Sequence, residues 1–221
     1  MAVVGVAEAA EELGVSPRRV RQMLADGQLR GERLGRAWVV DRAVLDRAAV
    51  IPSQVGRPWR AEAAWALLAL AEGQDPDLSA VDRVRIGRRL DQGIEAHVGR
   101  LGSRAEERRF YGHPSVVPRI LQRSGVVRSG VSAVDDHDID LVSLGQAELY
   151  IRKSDLLDVV EQYALDDSSD RPNMILRVVD DDIWPFEPDQ SVASAAVVAV
   201  DLLSSVDGRC RRAGQQLLGR S

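Results

Sequence analysis

The chain has 221 residues, 45% of them apolar and 29% charged, with a formal net charge of −5. These proportions support packed cores and exclude a disordered chain, and the length suits one large domain or a small domain followed by a larger one. The single cysteine, Cys210, excludes an intramolecular disulfide and a cysteine-based zinc site. No apolar run is long enough to span a bilayer, and the opening residues turn acidic where a leader peptide would need a cleavage site, so a cytoplasmic protein without membrane contact is expected.

The net charge averages over an uneven chain. Residues 1 to 60 hold ten Arg against seven Asp and Glu, whereas residues 133 to 189 hold four basic residues against sixteen acidic ones. A basic head can approach phosphates while the acidic segment avoids them or meets a basic partner.

In chain order, the first helical periodicity lies at Val6 to Leu13, where Val6, Ala9, Ala10 and Leu13 share a face and Glu8, Glu11 and Glu12 point away. Gly5 stands at its cap position, and Gly14 with Val15 makes a turn. Ser16 is a natural N-cap and Pro17 a natural first helical residue, because its missing N–H has no helical partner there in any case. The second helix runs to about Asp26 with Val20, Met23 and Leu24 inward, and Gly27 closes it. Leu29 to Arg33 and Ala37 to Val40 flank Leu34-Gly35-Arg36 as a small hairpin, or wing. Asp41 caps a third short helix through Val44, Leu45 and Ala48, and turn residues from Pro52 to Pro58 mark a boundary.

Beyond it, residues 56–111 read as helical. Ala61 to Ala71 carries Trp65, Leu67, Leu68 and Leu70, and the pairs Ser79/Asp82 and Ser103/Glu106 each resemble a capping box. Residues 112–221 then mix helices with strands. A short helix passes through Val117, Ile120 and Leu121; Val126 to Arg128, Glu148 to Arg152 and Met174 to Val179 are rich in strand formers; Ser154 to Tyr163, Ser191 to Leu203 and Arg209 to Leu218 are helical. The expected class is α+β: a winged helix-turn-helix over residues 1–52, followed by a larger mixed α/β domain.

The second helix carries the chemistry. With Val20, Met23 and Leu24 inward, Arg18, Arg19, Arg21 and Gln22 lie on the outer side, where Arg bridges guanine and Gln bridges adenine in a major groove. The open N–H groups at Ser16 and Pro17 favour a phosphate. Arg33 and Arg36 flank Gly35 at the wing tip, placed for phosphate or minor-groove contact. The expected DNA-binding residues are therefore Ser16, Pro17, Arg18, Arg19, Arg21, Gln22, Arg33, Gly35 and Arg36. A helical hairpin with a charged exterior, used only for packing, is the competing reading.

The stretch VAEAAEELGVSPRRVRQMLADGQLRGERLGRAWVVDRAVL, from Val6 to Leu45, resembles the excisionase and MerR-type winged helix-turn-helix family. The matching features are its A-A-x-x-L-G-V-S first helix and turn, its R-x-V-x-x-M-L-x-x-G-x-L second helix and its R-x-G-R-x-W-x-V wing. The family usually opens its first helix with Thr or Ser, where this chain has Gly5. Residues 56 to 221 resemble antitoxins of the AbiEi type through GRPWRAEAAWALLAL, HPSVVPRILQRSGVVRSGVSA, NMILRVV followed by WPF, and AVVAVDLLSSVDGRCRRAGQQLL. That resemblance implies a repressor of its own operon whose C-terminal domain counters a nucleotidyltransferase-like toxin encoded alongside it.

The main competing signal is the run Asp135, Asp136, His137, Asp138, Ile139, Asp140. A D-x-D pair at a strand end can hold magnesium for nucleotidyl transfer, with a third carboxylate from Asp180, Asp181 or Asp182. Such enzymes place Gly-Ser about ten residues ahead, whereas Ser129-Gly130 is reversed and too close, so a solvated acidic loop is preferred. His97, His113 and His137 lack metal-ligand spacing, and no G-x-S-x-G elbow supports a hydrolase. Trp184-Pro185-Phe186 reads as a turn anchored in the core. The expectation is a DNA-binding regulator with double-stranded DNA and a cognate toxin as partners, no catalysis, no cofactor and no metal. A stand-alone regulator or recombination accessory factor is the alternative, and a nucleotidyltransferase using Asp138 and Asp140 a lesser one.

Overall fold

Small apolar residues and flanking glutamates shape the first helix. In the computed structural model, which describes residues 3–25, 29, 31–35, 37–42, 44–45, 59–142 and 145–220, α1 (Val6–Glu12) buries Ala9 and Ala10 and turns Glu8, Glu11 and Glu12 to solvent. It ends in a Schellman motif. Gly14, at φ +63°, donates its N–H to the Glu11 carbonyl (3.2 Å), and Val15 donates to the Ala10 carbonyl (3.0 Å). After that turn comes α2 (Pro17–Ala25).

Among its described residues the head also has three short strands, β1 (Val3–Gly5), β2 (Glu32–Leu34) and β3 (Ala37–Asp41), antiparallel in the order β1-β3-β2. β1 has only three residues and no turn signal of its own; it forms because Val4 pairs with Val40 and both enter the core. That core joins Val4, Ala9, Ala10, Val20, Met23, Leu24, Leu29, Val40 and Leu45. Arg42, Val44 and Leu45 are helical, as expected of the third helix; its remainder, the Gly27 cap and the boundary turn from Pro52 to Pro58 lie outside the described residues.

Two compact units divide the chain, Met1–Pro58 and Trp59–Ser221. In the second, β4 (Glu106–Phe110), β5 (Val127–Arg128), β6 (Ala147–Arg152) and β7 (Met174–Val179) form a sheet in the order β4-β7-β6-β5. β6 and β7 run parallel, and both outer pairings are antiparallel. The period-two alternation of strands sends Ala147, Leu149 and Ile151, with Met174, Leu176 and Val178, to one face. That face is covered by α6 (Val117–Leu121) and by α7 (Leu156–Gln162), the crossover helix between the parallel strands. Tyr150 and Val179 enter the other core, with α3 (Ala61–Ala71), α4 (Ala80–Leu90), the one-turn α5 (Val98–Leu101), α8 (Ala195–Leu203) and α9 (Gly208–Leu218).

Ser79 caps α4 as its sequence implies, accepting the Asp82 N–H at 3.1 Å and donating its hydroxyl to the Asp82 carboxylate at 2.7 Å. Ser103/Glu106 does not start a helix. Residues 102–104 make a 3-10 turn, Ser103 Oγ donates to the Trp59 carbonyl at 2.6 Å, and Glu106 opens β4. Four consecutive charged residues carry little strand propensity; pairing with β7 decides their conformation. The Trp184-Pro185-Phe186 turn is anchored as expected. Phe186 is buried with its ring centroid 5.5 Å from Trp65, 5.1 Å from Tyr150 and 5.0 Å from Trp184.

A buried ionic cluster ties the second unit together. Asp201, 1% exposed on the apolar helix α8, receives Arg104, Ser129 and the Tyr150 hydroxyl (3.1 Å). Arg177 Nε lies 2.9 Å from the same carboxylate as an ion pair, without the alignment of a hydrogen bond. Arg177 also reaches Glu148 at 2.7 Å and Glu107 at 3.3 Å, while Arg104 donates to Tyr150 (2.9 Å) and to the Leu101 carbonyl (2.8 Å). Burial raises the Glu148 pKa, with Arg177 opposing it. Burial alone would lower the Arg177 pKa, but Asp201 and Glu148 hold it well above the ordinary arginine value. Such a cluster is costly to desolvate and more costly to break. Asp201→Asn should therefore destabilise the second unit by about 3–5 kcal/mol in urea unfolding; a loss under about 1 kcal/mol would mean that the arginines find other partners.

Candidate nucleic-acid interface

The basic surface of the head is built from one helix and one hairpin. Ser16 caps α2, its Oγ accepting the Arg19 N–H at 3.2 Å and its carbonyl accepting the Val20 N–H at 3.1 Å. Pro17 occupies the first helical position, where it removes a donor that has no partner. Val20, Met23 and Leu24 are buried at three- and four-residue spacing, which leaves Arg18, Arg21 and Gln22 exposed. Arg19 is half-buried and Gln22, though exposed, is also engaged within the protein. The most open cations on α2 are thus Arg18 and Arg21.

The wing forms as the sequence implies. β2 pairs with β3 through Glu32↔Val39, Arg33↔Trp38 and Leu34↔Ala37, leaving two residues for the turn. Gly35 takes φ +64°, a left-handed conformation that side chains other than Gly, Asn and Asp resist. Arg33 is exposed and lies over the Trp38 ring, 5.5 Å from its centroid, so a cross-strand cation–π contact orients it. Arg36 lies outside the described residues. Leu34, 62% exposed, stands beside the turn with its side chain off the core.

Besides strand β1, two features of the head were not legible in its sequence. Arg42 joins Glu8 (3.3 Å) and Glu12 (2.7 Å), a clamp from the third helix to α1 that directs one cation of the basic head to internal use. Nothing local marks that pair, since its members lie 34 and 30 residues apart. Gly31 is required for packing rather than for a turn. A Cβ there would sit 2.5 Å from the Val39 carbonyl oxygen and 2.6 Å from Leu24 Cδ2, so a bare backbone lets the wing approach α2.

The acidic run of the second unit is arranged differently from a metal centre. Asp136 pairs with Arg128 at 2.9 Å, Asp138 caps a 3-10 turn in the left-handed region at φ 54°, and His137 Nε2 lies 2.9 Å from the Ala193 carbonyl. Of the proposed third carboxylates, Asp180 holds Lys153 (2.7 Å) and Asp181 holds Ser154 (3.1 Å to its N–H). Among the described residues no group of three His, Cys, Asp or Glu side chains is placed to share a metal ion, and no helix is long and apolar enough to cross a membrane.

Comparison with known families matches residues 3–49 to the helix-turn-helix domain. No curated protein and no solved structure matches the chain. The matched segment covers α1, the turn, α2 and the wing, so sequence family and geometry agree on a DNA-binding head. The AbiEi-type resemblance of the second unit has no counterpart among these matches.

Replacing Gly31 by Ala should cost the head about 1–3 kcal/mol by overpacking and accelerate hydrogen exchange of the α2 amides. Unchanged protection in α2 would show that the wing does not brace the helix.

Proposed function

We propose that this chain is a sequence-specific transcriptional regulator that acts as an antitoxin-like repressor of its own operon. The observation that carries the reading is the division of α2: Val20, Met23 and Leu24 are buried while Arg18 and Arg21 stand open on the outer side. A helix so divided can lie in a major groove, with its arginines at guanine edges and Gln22 at adenine. The Ser16–Pro17 end supplies open backbone N–H groups for a phosphate, and Arg33 with Gly35 and Arg36 brings the wing to the adjoining backbone or minor groove. Double-stranded DNA is the first partner.

The antitoxin part of the proposal rests on the AbiEi-type resemblance of residues 56–221, which implies a nucleotidyltransferase-like toxin as second partner. In this reading the second unit binds and does not catalyse, requires no metal or cofactor, and works in the cytoplasm. Support comes from the acidic run itself, where Asp136 pairs with Arg128 and, among the described residues, no three His, Cys, Asp or Glu side chains converge.

The DNA reading is tested by selecting target duplexes from a random pool with the full chain and then measuring the Arg18→Ala/Arg21→Ala variant by gel shift. A bidentate base contact is worth roughly 1–3 kcal/mol, so the double variant should lose affinity about tenfold or more and relax its base preference; unchanged affinity overturns the assignment. An Arg33→Ala change should instead reduce the salt slope by about one with base preference retained. For the antitoxin part, co-expression with a nucleotidyltransferase-like protein encoded beside this chain should restore growth, and continued toxicity with the antidote present at excess would reject it.

A further inference from the structure

Helix α4 carries an apolar surface with no partner in the described fold. Its Ile86 enters the core, while Val81 and Val84, on the opposite side, are 66% and 56% exposed. Ala80, Arg85 and Arg88 line the same shallow depression as these two valines. Val81, Val84 and Arg88, at steps of three and four residues, share one exposed face of the helix, and Asp77, exposed in the segment that leads into it, adds an acidic group at the N-terminal end. Asp77 lies just ahead of the Ser79 cap.

Charge along this row is polarised. Within the protein Arg83 pairs with Asp75, and Arg85 with Asp82. Arg88 and Asp77, on either side of the valine pair, form no ion pair among the described residues. The basic end also repels itself: after desolvation, Arg85 and Arg100 are what lower the Arg89 pKa. A row that is acidic at one end, apolar in the middle and basic at the other is complementary to itself when reversed, which is the requirement of a two-fold interface.

We propose that α4 is the contact between two copies of this chain, packed antiparallel about a two-fold axis passing between Val81 and Val84. In that register Val81 faces the partner's Val84, and Arg88 reaches the partner's Asp77, twice by symmetry. Helix dipoles oppose favourably in the same arrangement. A nucleic acid would meet the valines with nothing to bury them, and an acidic protein partner would leave Asp77 and Asp82 opposed by like charge. The face is small beside the roughly 1,200–2,000 Å² of a stable interface, so the association is weak and concentration-dependent. In a regulator of the kind proposed above, a step that rests on that reading, pairing would bring two heads to two half-sites of one duplex, where effective concentration compensates for a weak contact.

Sedimentation equilibrium of the full chain without DNA tests the contact independently of any regulatory role. The wild type should show a monomer–dimer equilibrium, and Val84→Glu, which places a carboxylate at the centre of the contact, should weaken it about tenfold or more. Asp77→Arg and Arg88→Asp should each be monomeric when alone, because each sets like charges against each other. Mixed in equal amounts, they should form a heterodimer, since both cross-pairs then become Arg against Asp. A wild type that stays monomeric throughout, or a dimer indifferent to Val84→Glu and to both charge reversals, overturns the proposal. Circular dichroism of the two single charge variants confirms that they remain folded, and heterodimer formation on mixing cannot arise from misfolding.

Discussion

A carboxylate placed in an apolar helix must find cations, and in this protein the larger unit is arranged around that requirement. Asp201 lies in a run of Ala, Val and Leu, where an unpaired charge would cost several kcal/mol. It draws Arg104 from the turn before β4, Arg177 from β7, Ser129 from the loop after β5 and Tyr150 from β6. Helix, sheet and both connecting turns are thereby fixed at one point. Hydrophobic burial packs α8 into the core, and the ionic cluster ties its Asp201 to the sheet through Tyr150 and Arg177.

The head solves a different problem with simpler means. Among the described residues its core holds nine buried apolar ones, several of them alanine or valine, so the helices and the sheet must approach closely. Gly31 permits that approach at the wing, and the Gly14 turn permits it between the helices. Close packing of Val20, Met23 and Leu24 is also what holds Arg18 and Arg21 outward. Stability and the outward placement of these arginines are thus properties of the same nine-residue helix, and a change on its inner face acts on its outer one.

Charge is used in three ways along the chain. At α2 Arg18 and Arg21 stay open to solvent; Arg42 and Arg128 join neighbouring surface segments; Arg104 and Arg177 are buried and tie the core together. An average charge of −5 conceals all three. In the acidic segment Asp136 and Asp180 pair with Arg128 and Lys153, and Asp181 holds Ser154.

Local periodicity and capping chemistry were enough to determine α1, the Gly14 turn, the Ser16–Pro17 start of α2, the wing, the capped start of α4, and strand β7 residue for residue, because each depends on neighbours within a few positions. The outward placement of Arg18 and Arg21 on α2 follows from the same spacing, so this part of the candidate interface was legible in the sequence. What only the tertiary structure decided are interactions between distant residues: strand β1 and strand β4, which borrow their conformation from partners; the Arg42 clamp; and the cluster around Asp201. The last left one trace in the sequence, a lone carboxylate in an otherwise apolar helix, but its four partners lie 24 to 97 residues away. Local sequence specifies what a segment prefers, whereas burial is a property of the assembled chain, and a buried charge acquires its partners only when the chain closes around it.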